Sequence, residues 1–207
     1  AGLDLAQVDD MCAYTKVFIK DGKEYYFHKF YIPEETVKAR YQKENINFLQ
    51  WVESGIITAI PGATIDYRFI IKDIVDDAAK YKLIALGYDK WQARNVIDGI
   101  EEQRPDIALI EIEQSMKKLS SITKDYEKLI KDGLLVDNNP VMIWMVNNVD
   151  VFRDPNDNIK LKKKSKGSNQ HIDGVISSLM AHSLINNPEV NIPPIKAIDY
   201  DLLKAVL

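Results

Sequence analysis

The chain has 207 residues, 46% hydrophobic and 28% charged, which are ordinary values for a globular protein. A single cysteine, Cys12, excludes a scaffold held by disulfides and fits a reducing compartment, and with only three histidines a structural zinc site is not expected. The net charge of −4 argues weakly against a protein that coats nucleic acid. No stretch approaches the roughly 20 apolar residues of a membrane span, and no basic-then-apolar leader opens the chain.

The first third of the chain begins with a β-rich pattern. Residues 1–33 alternate as three antiparallel strands would, and Asp21-Gly22 is a strong hairpin signal because both residues accept positive φ. Pro33-Glu34-Glu35 then predicts a helix start, since proline suits the first turn and acids suit the positive end of the helix dipole. Two helical segments reaching Glu53, broken near Asn45, precede a short strand over 56–60.

From residue 64 onward, helices alternate with short apolar runs. The predicted elements are a helix capped by Thr64 with apolar positions over 70–79, a strand over 83–86, a helix over 93–100, a strand over 107–112, a helix over 119–130, a helix over 141–146, a hairpin turning at 154–158, and an amphipathic helix over 172–184. The last is the best amphipathic pattern in the chain. This order predicts one α/β domain over 1–207, with helices on both faces of a mixed sheet, the layout of the ribonuclease H-like fold.

Three aspartates stand in unusual places. Asp4 lies inside a predicted central strand, where a carboxylate must be paired, protonated or bound to a metal. Asp89 follows a strand at its carboxyl end, where ligands bind in open α/β sheets. Asp173 opens the last helix and Gly174 follows, which indicates close approach of something to this turn. Each also has a structural explanation: a hydrogen-bonded strand residue, a helix N-cap and a first-turn acid.

As a set, the three acids fit a hydrolytic site that holds two divalent cations about 4 Å apart. Such cations need several hard oxygen ligands; one generates hydroxide from water and the other stabilises the leaving oxygen. Asp10, six residues after Asp4 across a tight turn, is a candidate fourth ligand. The alternative for Asp10 is a solvated loop acid.

A basic stretch precedes Asp173 and predicts contact with a polyanion. Five lysines stand within seven residues on the predicted hairpin arm, where they would neutralise phosphates: Lys160, Lys162, Lys163, Lys164 and Lys166. The alternative is a solvated loop. Among the histidines only His171 is placed to touch a nucleic-acid substrate, and its alternative is an ordinary surface histidine.

Four groups of residues form a combined pattern: Gly2-Leu3-Asp4-Leu5 with Asp10, Gly87-Tyr88-Asp89-Lys90-Trp91, Asn139-Pro140-Val141 with Trp144-Met145 and Asn148-Val149, and Ile172-Asp173-Gly174. Their order and spacing resemble the C-terminal nuclease domain of large terminase subunits, the motor-nucleases of tailed bacteriophages. The similarity covers nearly all of the chain.

The resemblance implies a ribonuclease H-like fold and cleavage of double-stranded DNA with magnesium or manganese. It places the metal-binding acids on Asp4, Asp89 and Asp173, with Asp10 accessory, and assigns the block over 139–149 to packing. It further implies that the protein cuts concatemeric viral DNA during head filling. This would take place in the host cytoplasm, without secretion of the protein. The implied partners are an ATPase motor earlier in the same parent chain, the portal and the small terminase subunit. The sequence lacks the Gly-x4-Gly-Lys-Ser/Thr phosphate loop, as expected of a nuclease domain excised from that chain.

Two other functions remain open at this stage. A junction resolvase or integrase would use the same acids and would prefer branched DNA. A ribonuclease H-like module without catalysis would bind DNA or protein, and the intact acids count against it. An ATPase of the actin or sugar-kinase type is disfavoured, because residues 6–10 contain no glycine and two acids where that class needs a glycine-rich phosphate turn.

Overall fold

A mixed sheet forms the centre of the computed structural model, which describes residues 1–6, 10–44, 48–90, 93–165 and 170–190. The elements in chain order are β1 (Gly2–Asp4), β2 (Cys12–Lys20), β3 (Lys23–Pro33), α1 (Glu34–Glu44), α2 (Phe48–Glu53), β4 (Ile57–Ile60), α3 (Tyr67–Tyr81), β5 (Ala85–Tyr88), α4 (Arg94–Gln103), β6 (Ala108–Glu111), α5 (Met116–Lys131), β7 (Leu135–Val136), α6 (Pro140–Asn147), β8 (Val149–Arg153), β9 (Ile159–Lys163) and α7 (Asp173–Ile185).

The sheet has the strand order β4-β3-β2-β1-β5-β6, and β7 adds to β3. The pairs β1–β2 and β2–β3 are antiparallel, whereas β1–β5, β5–β6, β3–β4 and β3–β7 are parallel. Asp21 and Gly22 join β2 to β3 with φ values of 50° and 72°, as the Asp-Gly signal predicts. The strands β8 and β9 form a separate antiparallel hairpin.

Helices cover both faces of the sheet, which confirms the predicted ribonuclease H-like arrangement. On one face Leu3, Tyr14 and Leu86 pack in a single apolar cluster with Ile70 of α3 and Val96 of α4. The opposite face carries α6 and α7. Because successive strand residues point to opposite sides, each buried strand contributes side chains to both layers.

On the other face, α7 side chains take part in three apolar clusters. Phe30 of β3 packs with Met142 and Val175, and Ala85 of β5 packs with Met180. The segment over 139–149 supplies the α6 side chains of the first cluster, which confirms the prediction that this block serves packing. Its helix begins where expected, because the Asn139 side chain accepts hydrogen bonds from the backbone of the first turn.

The helix α7 lies with its backbone directly against β1. A Cβ atom on Gly2 would overlap the carbonyl oxygen of Ser177 and lie 2.7 Å from the backbone nitrogen of Ala181. Eleven residues of α7 are buried, on all sides of the helix, so the prediction that this helix is amphipathic is wrong. The polar residues Ser177 and His182 are inside because they have buried partners, which a periodicity of apolar residues does not reveal.

Two predicted boundaries also differ from the structure. The N-cap of α3 is Asp66, whose side chain accepts from the backbone of Arg68, rather than Thr64. The strand predicted over 83–86 begins two residues later, at Ala85. The predicted helix break near Asn45 lies outside the described residues. Among the described residues, no helix combines the length and apolar character that a membrane crossing requires.

The close contact between β1 and α7 predicts a strong effect of Gly2→Ala. Overpacking a buried site costs about 1–3 kcal/mol, and here the added methyl group meets backbone atoms that have little freedom to move. We expect thermal melting to show a lower midpoint for Gly2→Ala. Gly99→Ala is the control: its methyl group meets the tip of the flexible Ile71 side chain, and alanine favours a helix interior by up to about 1 kcal/mol. Equal midpoints for Gly2→Ala and the parent chain would contradict the packing described here.

Candidate metal centre

Asp4 and Asp89 meet at the carboxyl end of two neighbouring parallel strands. Leu3 of β1 lies beside Tyr88 of β5, so the next residue of each strand reaches the same edge of the sheet. Because Gly2 faces α7 and strand side chains alternate, Asp4 also faces α7. The helix α4 begins at Arg94 with Ala93 as its N-cap, so the alternative role of Asp89 as a cap is not observed.

Asp173 enters the same space from the first turn of α7. Only 8% of its surface is exposed. The following residue fixes this turn in a tight socket, since a Cβ on Gly174 would lie 2.5 Å from the sulfur of Met142 and 2.9 Å from that of Met145. The sequence predicts that some group approaches Gly174 closely. In the structure these groups are side chains of the protein core.

The electrostatics of Asp4 show that these acids converge. Burial raises the pKa of Asp4 well above its ordinary value, and the carboxylates of Asp173, Asp89 and Asp10 raise it further. The interaction between two charges weakens with the distance between them, so these carboxyl groups lie near one another. The structure thus brings together all four acids that the sequence singles out, although their role as metal ligands stays a prediction.

His171 joins two of these acids. Its Nδ1 atom lies 2.5 Å from Asp10 Oδ1 and 3.3 Å from Asp173 Oδ2. The three residues each offer one ligand atom, and these atoms lie within 4.8 Å of one another. Burial alone would lower the pKa of His171, but the two carboxylates outweigh burial and raise it. Burial alone would raise the pKa of Asp10, but His171 and Lys163 outweigh burial and hold it well below its ordinary range.

Of the two predictions for His171, the ordinary surface histidine is wrong, and contact with a nucleic-acid substrate stays a prediction. Its side chain has 0% exposure, and its ring centroid lies 5.6 Å from that of Trp144. Its backbone oxygen accepts a hydrogen bond from the Asn148 amide at 3.1 Å. Its position two residues before Asp173 was the available signal. The contact with Asp10 depends on how a distant loop folds, which spacing does not disclose.

The basic stretch is divided between two surfaces by the alternation of β9. Lys160 and Lys162 are exposed, and Lys162 pairs with Asp150 at 3.1 Å. Lys163 turns the other way and contacts Asp10 Oδ2 at 3.0 Å. Lys164 is exposed and donates to a backbone oxygen of α6. Lys166 lies outside the described residues.

The donor set of this cluster fits a divalent cation such as magnesium or manganese. Carboxylate oxygens are the ligands these hard cations prefer, and imidazole is compatible with manganese. Burial and the neighbouring carboxylates raise the pKa of Asp4, and a bound cation would offset the repulsion among these carboxylates. We refer to Asp4, Asp10, Asp89, His171 and Asp173 as the acidic centre.

Comparison with known proteins gives consistent matches over most of the chain. Residues 1–189 match the family model described as terminase large subunit, endonuclease domain. The large terminase subunit of Enterobacteria phage HK97 is 29% identical over 191 residues, covering 90% of this chain and 37% of that protein. Protein YmfN of Escherichia coli strain K12 is 27% identical over 188 residues, covering 86% of this chain and 41% of that protein. The chain therefore spans less than half the length of both relatives.

Solved structures show the same fold. The crystal structure of the HK97 bacteriophage large terminase superimposes with a TM-score of 0.77 at 26% identity, covering 87% of this chain and 38% of that one. The large terminase nuclease of the thermophilic phage G20c, in a crystal with bound magnesium, gives a TM-score of 0.57 at 12% identity, with 88% and 78% covered. The family match, which extends from the first strand beyond α7, shows that this chain belongs to the terminase large subunit endonuclease domains.

Proposed function

We propose that this chain is the nuclease domain of a genome-packaging terminase and cleaves concatemeric viral double-stranded DNA by two-metal-ion hydrolysis. The observation that carries the proposal is the convergence of four carboxylates at the carboxyl end of β1 and β5. Family membership supports the nuclease activity, and the magnesium bound to the G20c nuclease supports a divalent cation.

We propose a task for each carboxylate of the acidic centre. Asp4 interacts with Asp89, Asp173 and Asp10, so it would be the ligand that both cations share. Asp89 and Asp173 would each hold one of them, and Asp10 would support the site. Bound divalent cations of this kind make water a nucleophile at neutral pH and stabilise the charge on the leaving oxygen.

The surroundings hold these side chains in place for that task. The socket around Gly174 fixes the turn that carries Asp173, and His171 holds Asp10 against it. We infer that His171 orients these carboxylates from inside the protein. Rigid positioning matters, because catalytic groups misplaced by about 1 Å lose on the order of 100-fold in rate.

The exposed side of the β8–β9 hairpin is the proposed DNA surface. Lys160 lies beside exposed Phe152 in the hairpin register, and Lys162 projects from the same face. With Lys164 and Lys166, they would contact phosphates and draw the duplex towards the acidic centre. Magnesium or manganese would serve as cofactor in the host cytoplasm.

The length of the relatives supports a proposal for the remaining partners. Both relatives extend well beyond the segment that matches this chain. We propose that an ATPase motor domain of the same parent chain accompanies this domain, and that the portal and small terminase subunit act with it.

The first prediction concerns cleavage by Asp4→Asn. Losing a ligand shared by both cations removes several kcal/mol of transition-state stabilisation, so nicking of supercoiled plasmid should slow at least about 100-fold. Rates would be measured with magnesium, with manganese and with chelator. Asp76→Asn is the control, because Asp76 is an exposed acid on α3 paired with Lys72. An Asp4→Asn variant that cuts at the parental rate would overturn the assignment, and a strong preference for four-way junctions over linear duplex would favour a resolvase.

The second prediction concerns stability without metal. Because the pKa of Asp4 is raised on folding, ionisation of Asp4 opposes folding, and this penalty grows as pH rises above the ordinary value of 3.8. At pH 7, Asp4→Asn should therefore melt at least about 2 °C higher than the parent in chelator, the shift that about 1 kcal/mol produces at this size. Manganese should raise the melting midpoint of the parent far more than that of the variant. A lower midpoint for Asp4→Asn in chelator would show that the carboxylates do not repel one another.

The third prediction concerns the hairpin surface. In the Asp4→Asn background, which keeps the DNA intact, Lys160→Gln with Lys162→Gln should flatten the dependence of log affinity on log salt by about 2, one unit for each phosphate contact. Fluorescence anisotropy with a labelled duplex measures this slope. The matched control is Lys117→Gln with Lys118→Gln, two exposed lysines of α5. Equal slopes for both double variants would remove the hairpin from the DNA surface.

A further inference from the structure

Lys163 lies where a surface lysine would not be expected. It is the last residue of β9, and its ammonium lies 3.0 Å from Asp10 Oδ2, while His171 contacts Oδ1 of the same carboxylate at 2.5 Å. Both oxygens of Asp10 are therefore held, one by an imidazole and one by an ammonium. The side chain of Lys163 is 31% exposed, so one side of it remains open to solvent.

The charge of Lys163 reaches beyond its partner. Burial and three carboxylates raise the pKa of Asp4, and the ammonium of Lys163 offsets part of that rise. Across the described part of the hairpin, its neighbours have other contacts: Lys162 pairs with Asp150, and Lys164 binds the backbone oxygen of Asn147. Of these three consecutive lysines, Lys163 is the one whose ammonium contacts an acid of the acidic centre.

We propose that Lys163 is a catalytic residue, whose ammonium balances the acidic centre while no metal is bound and contacts a non-bridging phosphate oxygen of the scissile group when DNA enters. This inference rests on the proposed nuclease function. It assigns Lys163 a task distinct from the general phosphate attraction of the exposed lysines.

The two states of Lys163 follow from competition for one carboxylate. An ammonium and a divalent cation are both attracted to Asp10, and the divalent cation carries twice the charge. A divalent cation on Asp10 would weaken the attraction between Asp10 and the ammonium of Lys163, which would then be free to contact a phosphate of DNA. Lysine suits this exchange, because its flexible four-carbon stem carries three donors that reorient freely. Donors placed where charge develops in a reaction contribute strongly to its rate.

Competition has a consequence that a structural role would not have. If Lys163 competes with the metal, removing its charge leaves the affinity for manganese unchanged or makes it several-fold tighter. If Lys163 only holds Asp10 in position for coordination, the same change weakens manganese binding. The sign of the change therefore separates the two roles without any measurement of cleavage.

The experiment compares Lys163→Gln with Lys163→Arg and with the control Lys72→Gln, an exposed lysine of α3 paired with Asp76. Manganese affinity of the whole chain would be measured by calorimetry without DNA. Single-turnover cleavage would be measured at saturating DNA and manganese. For Lys163→Gln we expect manganese affinity at least equal to that of the parent and a cleavage rate about 100-fold lower, the typical loss for one such donor.

Lys163→Arg keeps the charge and should cleave within about 10-fold of the parent, and it also serves if the glutamine variant fails to fold. Weaker manganese binding by Lys163→Gln, parental cleavage by it, or equal loss in the arginine variant would each overturn the proposal. Failure of the proposed function is a separate result: the unchanged chain would then cleave no DNA with either metal.

Discussion

The mutual repulsion of four carboxylates in one partly buried space is the constraint on which the rest of this structure depends. Burial raises the pKa of Asp4, and three other acids raise it further. A fold bears this cost when the arrangement serves a ligand that removes it, and a divalent cation is the ligand that these oxygens suit. The imidazole of His171 and the ammonium of Lys163 offset part of the charge from within the chain.

The position of α7 against β1 brings Asp173 to the other acids. Glycine at position 2 lets the helix backbone lie on β1, and a second glycine lets its first turn enter a socket of methionine and phenylalanine side chains. Buried polar contacts then fix the helix along its length. Thr15 on β2 contacts Ser177 at 2.6 Å, and Glu24 on β3 contacts His182 at 2.9 Å. These partners come from distant parts of the sequence, so the site forms only when the sheet and helix are both in place.

Local chemistry made much of the fold predictable. The Asp-Gly turn and the alternation of strands with helices each depend on residues close together in the chain. The sequence also singles out Asp4 and Asp89 as candidate site residues from local features. A carboxylate within a buried strand, or at its end, is unusual wherever it occurs.

What the sequence did not disclose depends on contacts between distant residues. Ser177 and His182 of α7 are polar by type, yet they are buried because β2 and β3 supply partners for them. His171 is buried against Asp10 for the same reason. The lysines looked like one basic surface, but the pleat of β9 sends Lys163 towards the acids and Lys162 away from them.

Diffraction from crystals of the whole chain soaked in manganese, recorded at a wavelength where manganese scatters anomalously, tests the central claim most directly. The account predicts two anomalous peaks about 4 Å apart, bounded by the carboxylates of Asp4, Asp89 and Asp173. Strong peaks elsewhere, with none among these side chains at saturating manganese, would contradict it.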